Sequence, residues 1–255
     1  MFDLRSFSLE HWEEIDSTNS EALRKIARGE VDRPLAISAT SQTNGRGSRE
    51  RVWASHSGNV HVTYLLPVLD ARREAFLVVY PLALATSRTI REMTGLGSRV
   101  TLKWPNDVLI DGKKVSGALH EVGWLNGRAI LAAGIGVNVG WSPRLADAVF
   151  PPTALSEVVH ELPDCREIVT QLGAAILSEI ASWLEKGFES VRERYHAESY
   201  LLNSRISIVD RVPGTTPVEG VYRGIDPEGA LQLETESGIS KHYSVDVFPS
   251  LATLS

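Results

Sequence analysis

A single cysteine, Cys165, stands among 255 residues, so no disulfide can form within the chain. Stability must come from a packed core, and this thiol content suits a reducing compartment such as the cytoplasm. Basic charge is in deficit, with 26 Lys and Arg against 32 Asp and Glu and a net charge of −6. Nucleic-acid binders are more often basic overall, so no nucleic-acid partner is expected. No stretch of about 18 uncharged apolar residues exists, and the best candidate, near 76–85, is too short to span a bilayer. No membrane partner is expected either. The first residues, Met1-Phe2-Asp3-Leu4-Arg5, carry no basic segment leading into an apolar run, so no secretory signal is visible.

Several chemistries are missing as well. No G-x-x-x-x-G-K-[ST] phosphate loop occurs, and no G-x-S-x-G elbow. His120-Glu121 is not followed by a histidine three residues on, so the H-E-x-x-H metalloprotease pattern fails. The seven histidines show no metal-ligand spacing. Gly134-Ile135-Gly136 superficially resembles a dinucleotide fingerprint. Its third glycine, Gly140, comes one residue late, and Trp141-Ser142-Pro143 is a poor helix opening. A glycine-spaced strand instead suggests close approach of a ligand or another backbone. Cys165, near the start of an expected helix, reads as a buried structural thiol.

What is present is 43% apolar residues over a length that suits one large core, or a core with a small satellite. Thr18 and Glu21 fit a capping box, predicting a helix that stops near Gly29. Strands are predicted at Leu35–Ala39 and Asn59–Leu66, a helix at Pro81–Met93 and a strand at Val100–Trp104. Val108–Ile110 and Lys113–Val122 flank Asp111-Gly112, a hairpin signal. A strand at Ala129–Val139 and helices at Asp164–Glu185 and Ser190–Tyr200 follow. Beyond Leu201–Ser204 only short strands are predicted, at Ile206–Val209, Val218–Ile225, Ala230–Glu234 and Ile239–Val245. Turns such as Pro213-Gly214 and Asp226-Pro227-Glu228-Gly229 separate them, giving a small all-β module after a larger mixed domain.

The richest stretch is Gln42-Thr43-Asn44-Gly45-Arg46-Gly47-Ser48-Arg49-Glu50-Arg51-Val52-Trp53. Glycines let the backbone approach a ligand, exposed N–H groups form an anion-binding concavity, and arginines add forked contacts. The loop reads either as an anion site or as a solvated basic turn. Lys103-Trp104-Pro105-Asn106-Asp107 comes next. Turn formation alone accounts for Asn106 and Asp107; equally, their oxygens suit a Mg²⁺ ion that carries substrate phosphates. Lys114, on the returning strand, is either a solvated hairpin lysine or a cation that neutralises developing negative charge.

Together these segments resemble the biotin protein ligases. Ser17-Thr18-Asn19 is similar to the family's S-T-N at a helix start. Gln42-x-x-Gly45-Arg46-Gly47-x-Arg49-x-Arg51-x-Trp53 resembles its arginine loop. Lys103 to Asp107 is its K-W-P-N-D, and Lys114-x-x-Gly117 with Glu121 resembles its K-x-x-G-x-L-x-E strand. Gly134-x-Gly136-x-Asn138 and Gly224-Ile225-Asp226-x-x-Gly229-Ala230-Leu231 complete an ordered set over nearly the whole chain.

The resemblance implies an α+β fold: a mixed-sheet catalytic domain over 1–202, then a small SH3-like barrel over 203–255. The S-T-N arrives at residue 17, so the form without a DNA-binding domain is expected. The implied reaction is ATP-dependent attachment of biotin, through biotinyl-5′-AMP, to a lysine of a biotin carboxyl carrier domain of acetyl-CoA or a related carboxylase. Biotin, ATP and Mg²⁺ are the implied ligands, and exposed strands could support a homodimer. Ser17, Thr18 and Gln42 would bond the ureido ring. Asn19, Gly45, Trp53, Gly117, Gly134 and Gly136 would help enclose biotin. Arg46, Arg49 and Arg51 would order the loop over the adenylate, Asn138 would join its site, Asn106 and Asp107 would serve metal and phosphates, and Lys114 the reacting centre.

Ser48 stands where the family usually has Arg, and Glu50 where it has Gly, so weaker retention of the adenylate is expected. His61 replaces a frequent aromatic, His120 an apolar residue, and Asp246-Val247-Phe248-Pro249-Ser250 departs from the usual ending. Two competitors remain: a lipoate-protein ligase, with the same adenylate logic, and a non-catalytic biotin or biotinyl-AMP sensor.

Overall fold

The computed structural model describes residues 7–48, 51–67, 74–145, 148–210 and 215–250. The expected turn at Pro213-Gly214 lies outside them. The first strand, β1 (Ser8–Ile15), has no counterpart among the predicted elements, because its burial does not alternate and Leu9 and Trp12 are exposed. It runs parallel to β2 (Leu35–Gln42) through α1 (Thr18–Arg28), since a parallel pair needs a crossover. The remaining strands of this sheet are β3 (Val60–Pro67), β4 (Val100–Lys103), β5 (Asp107–Ile110), β6 (Lys113–Leu125) and β7 (Arg128–Val137). Their order is β1-β2-β3-β7-β6-β5-β4, antiparallel beyond the first pair. Asp111 and Gly112, at φ 50° and 76°, make the predicted hairpin turn with both central residues left-handed.

Helices cover both faces. α2 (Glu74–Leu77), α3 (Val79–Thr94), α4 (Cys165–Lys186) and α5 (Phe188–Glu198) follow in chain order. α3 packs on α4, and the main core includes Val62, Tyr64, Leu131, Ala133, Ile135, Leu84 and Leu172. On the other face α1 packs Ala22 and Ile26 against Ile37, Leu65, Ile130 and Ala132. Alternation along β7 therefore assigns Ile130, Ala132, Gly134 and Gly136 to the α1 face. Side-chain volume on that face shrinks to nothing toward the end of the strand, which leaves a hollow beside the start of α1. Asp164, where the predicted helix begins, caps α4, accepting from Arg166 and Glu167 N–H at 2.8 and 3.1 Å. Cys165 is half-buried rather than fully buried, and its Sγ lies 3.5 Å from Gly58 O.

The second sheet holds β8 (Arg205–Asp210), β9 (Val218–Ile225), β10 (Leu231–Thr235), β11 (Gly238–His242) and β12 (Val245–Pro249), in the order β11-β10-β9-β8-β12, all antiparallel. The segment predicted as one strand at Ile239–Val245 is instead the end of β11 and the start of β12. Ile206, Ile208, Tyr222 and Leu231 join the main core, so the two sheets share one apolar interior. Tyr80 donates to Gly229 O at 2.5 Å and the Ile225 N–H reaches His196 Nε2 at 2.8 Å. Asp226, 1% exposed, accepts from Glu228 and Ala230 N–H and pairs with Lys241 at 2.7 Å, which fixes the turn before β10. Among the described residues, no helix is long and apolar enough to cross a membrane.

Candidate active site

The hollow is a cleft open to solvent. Ser17, Thr18 and Asn19 stand on one side of it, Gln42, Arg46 and Trp53 on another, and Lys114, Gly117, Gly134 and Gly136 across its floor.

The α1 end is set by hydrogen bonds. Ser17, not Thr18, is the N-cap, its Oγ accepting from Ser20 N–H at 3.4 Å. Thr18 is thereby free to bond elsewhere, and its N–H and hydroxyl both donate to Gln42 Oε1, at 2.9 and 3.2 Å. The Thr63 hydroxyl on β3 lies 2.9 Å from Thr18 Oγ1 and 3.2 Å from Asn19 Oδ1. Asn19 passes so close to β7 that a methyl group at Gly134 would lie 2.6 Å from its Oδ1.

The arginine loop folds back on itself. Trp53 N–H donates to Gly45 O at 3.0 Å and Gly47 N–H to Arg51 O at 2.7 Å. A side chain at Gly45 would overlap the Trp53 carbonyl, so glycine is required there. The fold-back lays the Trp53 indole directly against Gly136, where any side chain would overlap the ring. Arg46 donates to Glu121 Oε1 at 2.8 Å, while Asn19 Nδ2 donates to Glu121 Oε2 at 2.5 Å. One carboxylate thus ties the loop to α1 across the cleft. Glu121 belongs to the quoted K-x-x-G-x-L-x-E pattern, yet no role for it follows from the sequence; its place on the same face of β6 as Gly117 is the available signal.

Lys114 sits at the other end, its Nζ 2.6 Å from Asp107 Oδ1 and 5.8 Å from the centre of a Trp53 ring. A methyl at Gly117 would come within 3.0 Å of that ammonium. Lys103 also approaches Asp107, at 3.5 Å, and lies 5.0 Å over the Phe150 ring. Burial alone would raise the Asp107 pKa, but the two ammoniums outweigh it and hold the carboxylate below its usual range. Burial draws the Lys103 pKa down despite Asp107.

Not every expected residue reaches the cleft wall. Asn106 donates to Ala118 O at 2.6 Å, behind the lining. Asn138 is buried and spends its amide on Thr153 O at 3.0 Å, pinning the segment after β7. Arg51 turns outward to Asp246 of β12 at 3.4 Å, with 62% of its side chain exposed. Gly45 lies behind the lining, where it shapes the loop. Arg49 and Glu50 lie outside the described residues; Ser48 is exposed at the mouth of the cleft. His61 lines the cleft, whereas strand alternation puts His120 on the opposite face of β6.

The arrangement has two ends. Thr18, Gln42 and their neighbours offer hydrogen bonds to a polar ring near the start of α1, where Arg46 is paired with Glu121, and Lys114 offers positive charge at the other end. It suits an elongated ligand with an anionic tail, held while its tail reacts. Among the described residues no three His, Cys, Asp or Glu side chains converge as a metal cage.

A family model described as Biotin/lipoate A/B protein ligase family matches residues 12–139, and one described as Biotin protein ligase C terminal domain matches 202–248. The biotin–[acetyl-CoA-carboxylase] ligase of Paracoccus denitrificans is 32% identical over 237 residues, covering 91% of this chain and 97% of that one. The ligase of the same name from Mycobacterium tuberculosis is 28% identical over 232 residues, covering 88% and 84%. Among solved structures, the biotin protein ligase from Aquifex aeolicus in complex with biotin and ATP superposes with a TM-score of 0.78. Its identity is 26%, over 95% of this chain and 99% of that one.

Proposed function

The chain belongs to the biotin/lipoate A/B protein ligase family, and we infer from that premise how its cleft serves the reaction. The activity is ATP-dependent attachment of biotin to protein. The biotin carboxylate attacks the α-phosphate of ATP, forming biotinyl-5′-AMP and releasing pyrophosphate. A lysine amine of the acceptor then attacks the mixed anhydride, forming the amide and releasing AMP. Neither step needs an enzyme nucleophile, so orientation and charge stabilisation carry the catalysis.

The observation that supports this assignment most is convergence. Residues from 17 to 136, on α1, the loop, β3, β6 and β7, line one cleft with a polar end and a cationic end. In our reading Ser17, Thr18 and Gln42 hold the ureido ring, and Asn19, Trp53 and the bare strand positions Gly117, Gly134 and Gly136 shape the walls. Lys114 neutralises charge where carboxylate meets phosphate, with Asp107 fixing its ammonium. Arg46 is held by Glu121 in this structure, and in this reading Arg46, Arg49 and Arg51 serve to order the loop over the adenylate, Arg51 then leaving Asp246. The interior position of Asn138 supports a structural role beside that site.

Asp107 is already engaged by two lysines, so its carboxylate does not favour a resident dication. Mg²⁺ enters this reading only as the counter-ion of the ATP phosphates. We place the boundary between catalytic domain and C-terminal module near 202/203, where α5 has ended and β8 has not begun. The acceptor we propose is a carrier domain of a biotin-dependent carboxylase, in the cytoplasm.

The test is pyrophosphate release with biotin, ATP and Mg²⁺, followed by label transfer to a purified carrier domain. Release that requires biotin and transfer to one lysine are expected. Release with lipoate in place of biotin, or binding without release, would overturn the reading in favour of a lipoate ligase or a sensor.

A further inference from the structure

The ligase reading leaves His61 without a role. The residue is 2% exposed and lines the cleft. Thr63, two positions along β3, reaches Thr18 and Asn19 of α1. Strand alternation therefore puts the His61 ring on the same face. Its partner across to β7 is Gly136, the bare position covered by the Trp53 indole. The imidazole is thus a neighbour of Trp53 on the cleft floor.

The two ring nitrogens are in different situations. Nε2 lies 2.9 Å from Ser55 Oγ, which also accepts the Gln42 N–H at 2.8 Å. Ser55 Oγ has lone pairs for both the Gln42 N–H and an Nε2–H; in the tautomer in which Ser55 instead gives its proton to Nε2, the neutral ring carries its own proton on Nδ1. The other neighbour of Nε2, His56 O, is 3.4 Å away, a poorer contact than Ser55. Burial lowers the pKa of the ring, in keeping with the neutral form. Among the described residues Nδ1 has no hydrogen-bond partner. Buried unpaired polar atoms are uncommon in native proteins and call for an explanation. The Ser55–His61 pair has the spacing of a nucleophile and its base, but Ser55 is outside the cleft lining and its oxygen is held by Gln42.

We propose that His61 Nδ1–H is a biotin-binding donor, directed at the carbonyl oxygen of the ureido ring. The proposal rests on the ligase reading, because it needs biotin in this cleft. The choice of end follows from the sheet. Gly117 pairs with Gly136 and Gly136 with His61, so the Lys114–Gly117 corner is two strands away, about 10 Å. With the carboxylate of biotin beside Lys114, its ring lies toward His61, Thr18 and Gln42.

Three variants separate this contact from the Ser55 tie. Asparagine places its amide near Nδ1, glutamine places its amide near Nε2, and phenylalanine removes both. By calorimetry, His61→Asn is expected to keep biotin affinity within about threefold. His61→Gln and His61→Phe are each expected to weaken it about tenfold, as for loss of one good hydrogen bond. The preference for biotin over 2-iminobiotin, which lacks the carbonyl oxygen, should fall in the latter two and persist in His61→Asn. The reverse ranking, with His61→Gln intact and His61→Asn impaired, would overturn the proposal in favour of a purely structural tie. Nitrogen-15 spectra of the unmodified protein give a reading that depends on no variant. Nδ1 should be protonated and should shift on biotin saturation; an Nε2–H ring, or an unmoved Nδ1, would refute the contact. Failure of the unmodified protein to bind biotin would overturn the ligase reading itself.

Discussion

Replacing Lys114 by methionine tests the cationic end of the cleft. The ammonium is 2.6 Å from Asp107 Oδ1, and the two side chains are 30% and 18% exposed. Two unit charges about 4 Å apart interact by about 4 kcal/mol at an effective dielectric of 20, and desolvation cancels part of that. Breaking a buried pair costs about 3–5 kcal/mol when the remaining charge is left alone. Here Lys103 remains 3.5 Å from Asp107. The expected loss of stability is therefore smaller, about 1–3 kcal/mol, and the protein stays folded at assay temperature. The loss in chemistry is larger. Removing one preorganised stabiliser of developing charge typically lowers turnover about 10²- to 10³-fold, or about 2.7–4 kcal/mol. Biotin-dependent pyrophosphate release without acceptor should fall by at least about 100-fold, alongside a melting temperature lowered by a few degrees. Asp107→Asn should show a milder defect, because the ammonium survives but loses its anchor. A folded Lys114→Met protein releasing pyrophosphate within about threefold of the parent rate would refute the role, since a loss that small is under about 1 kcal/mol.

Other changes report on other parts of the cleft. Gly136→Ala should push the Trp53 indole off β7 and raise the KM for biotin about tenfold or more, a loss of about 1.4 kcal/mol; an unchanged KM would show that the indole wall is dispensable. Ser48→Arg adds a cation at the cleft mouth and should slow escape of free biotinyl-AMP in the absence of acceptor, and escape at the parental rate would contradict the charge argument. The Tyr80 hydroxyl joins Gly229 O at 2.5 Å and the Trp104 indole N–H at 3.1 Å. Tyr80→Phe leaves both unpaired and should cost about 1–3 kcal/mol in denaturant unfolding. Asp16 is held down to about 2, from an ordinary 3.8, by its hydrogen bond with Arg24. Its folded pKa is the lower one, so its contribution is present above about pH 4 and fades as pH falls toward 2. Both side chains of the pair are 43% exposed, so the contribution stays under about 1 kcal/mol. The stability gap between parent and Asp16→Asn, measured in urea at pH 5 and pH 2.5, should narrow at the lower value.

The chain declared much of this in local chemistry. Asp111-Gly112 specified its turn because the required φ values suit few residues. The helix expected from Asp164 does begin there, and the structure adds that its short acidic side chain reaches the free N–H groups. Other elements had no local signature. β1 carries glutamates and an exposed Trp12 on an edge, so no alternation marks it, and only its parallel pairing with β2 makes it a strand. Thr18 and Glu21 have capping-box spacing, yet Ser17 takes the cap because Thr18 is drawn to Gln42, 24 residues away.

Composition, turn chemistry and ordered glycine, arginine and lysine positions were enough to place the family, the reaction and the residues with which to begin. Those are properties of short segments, readable without knowing what lies across the sheet. Which residues meet was a matter of register. Pairing of β3, β7 and β6 lines up His61, Gly136 and Gly117, lays Trp53 on a bare backbone, and leaves one imidazole nitrogen unpaired among the described residues. Glu121 bridges Arg46 and Asn19 only because strands and helix far apart in sequence converge. A one-residue slip would send each of these side chains to the other face, and that choice is made by burial of the whole sheet rather than by any local segment.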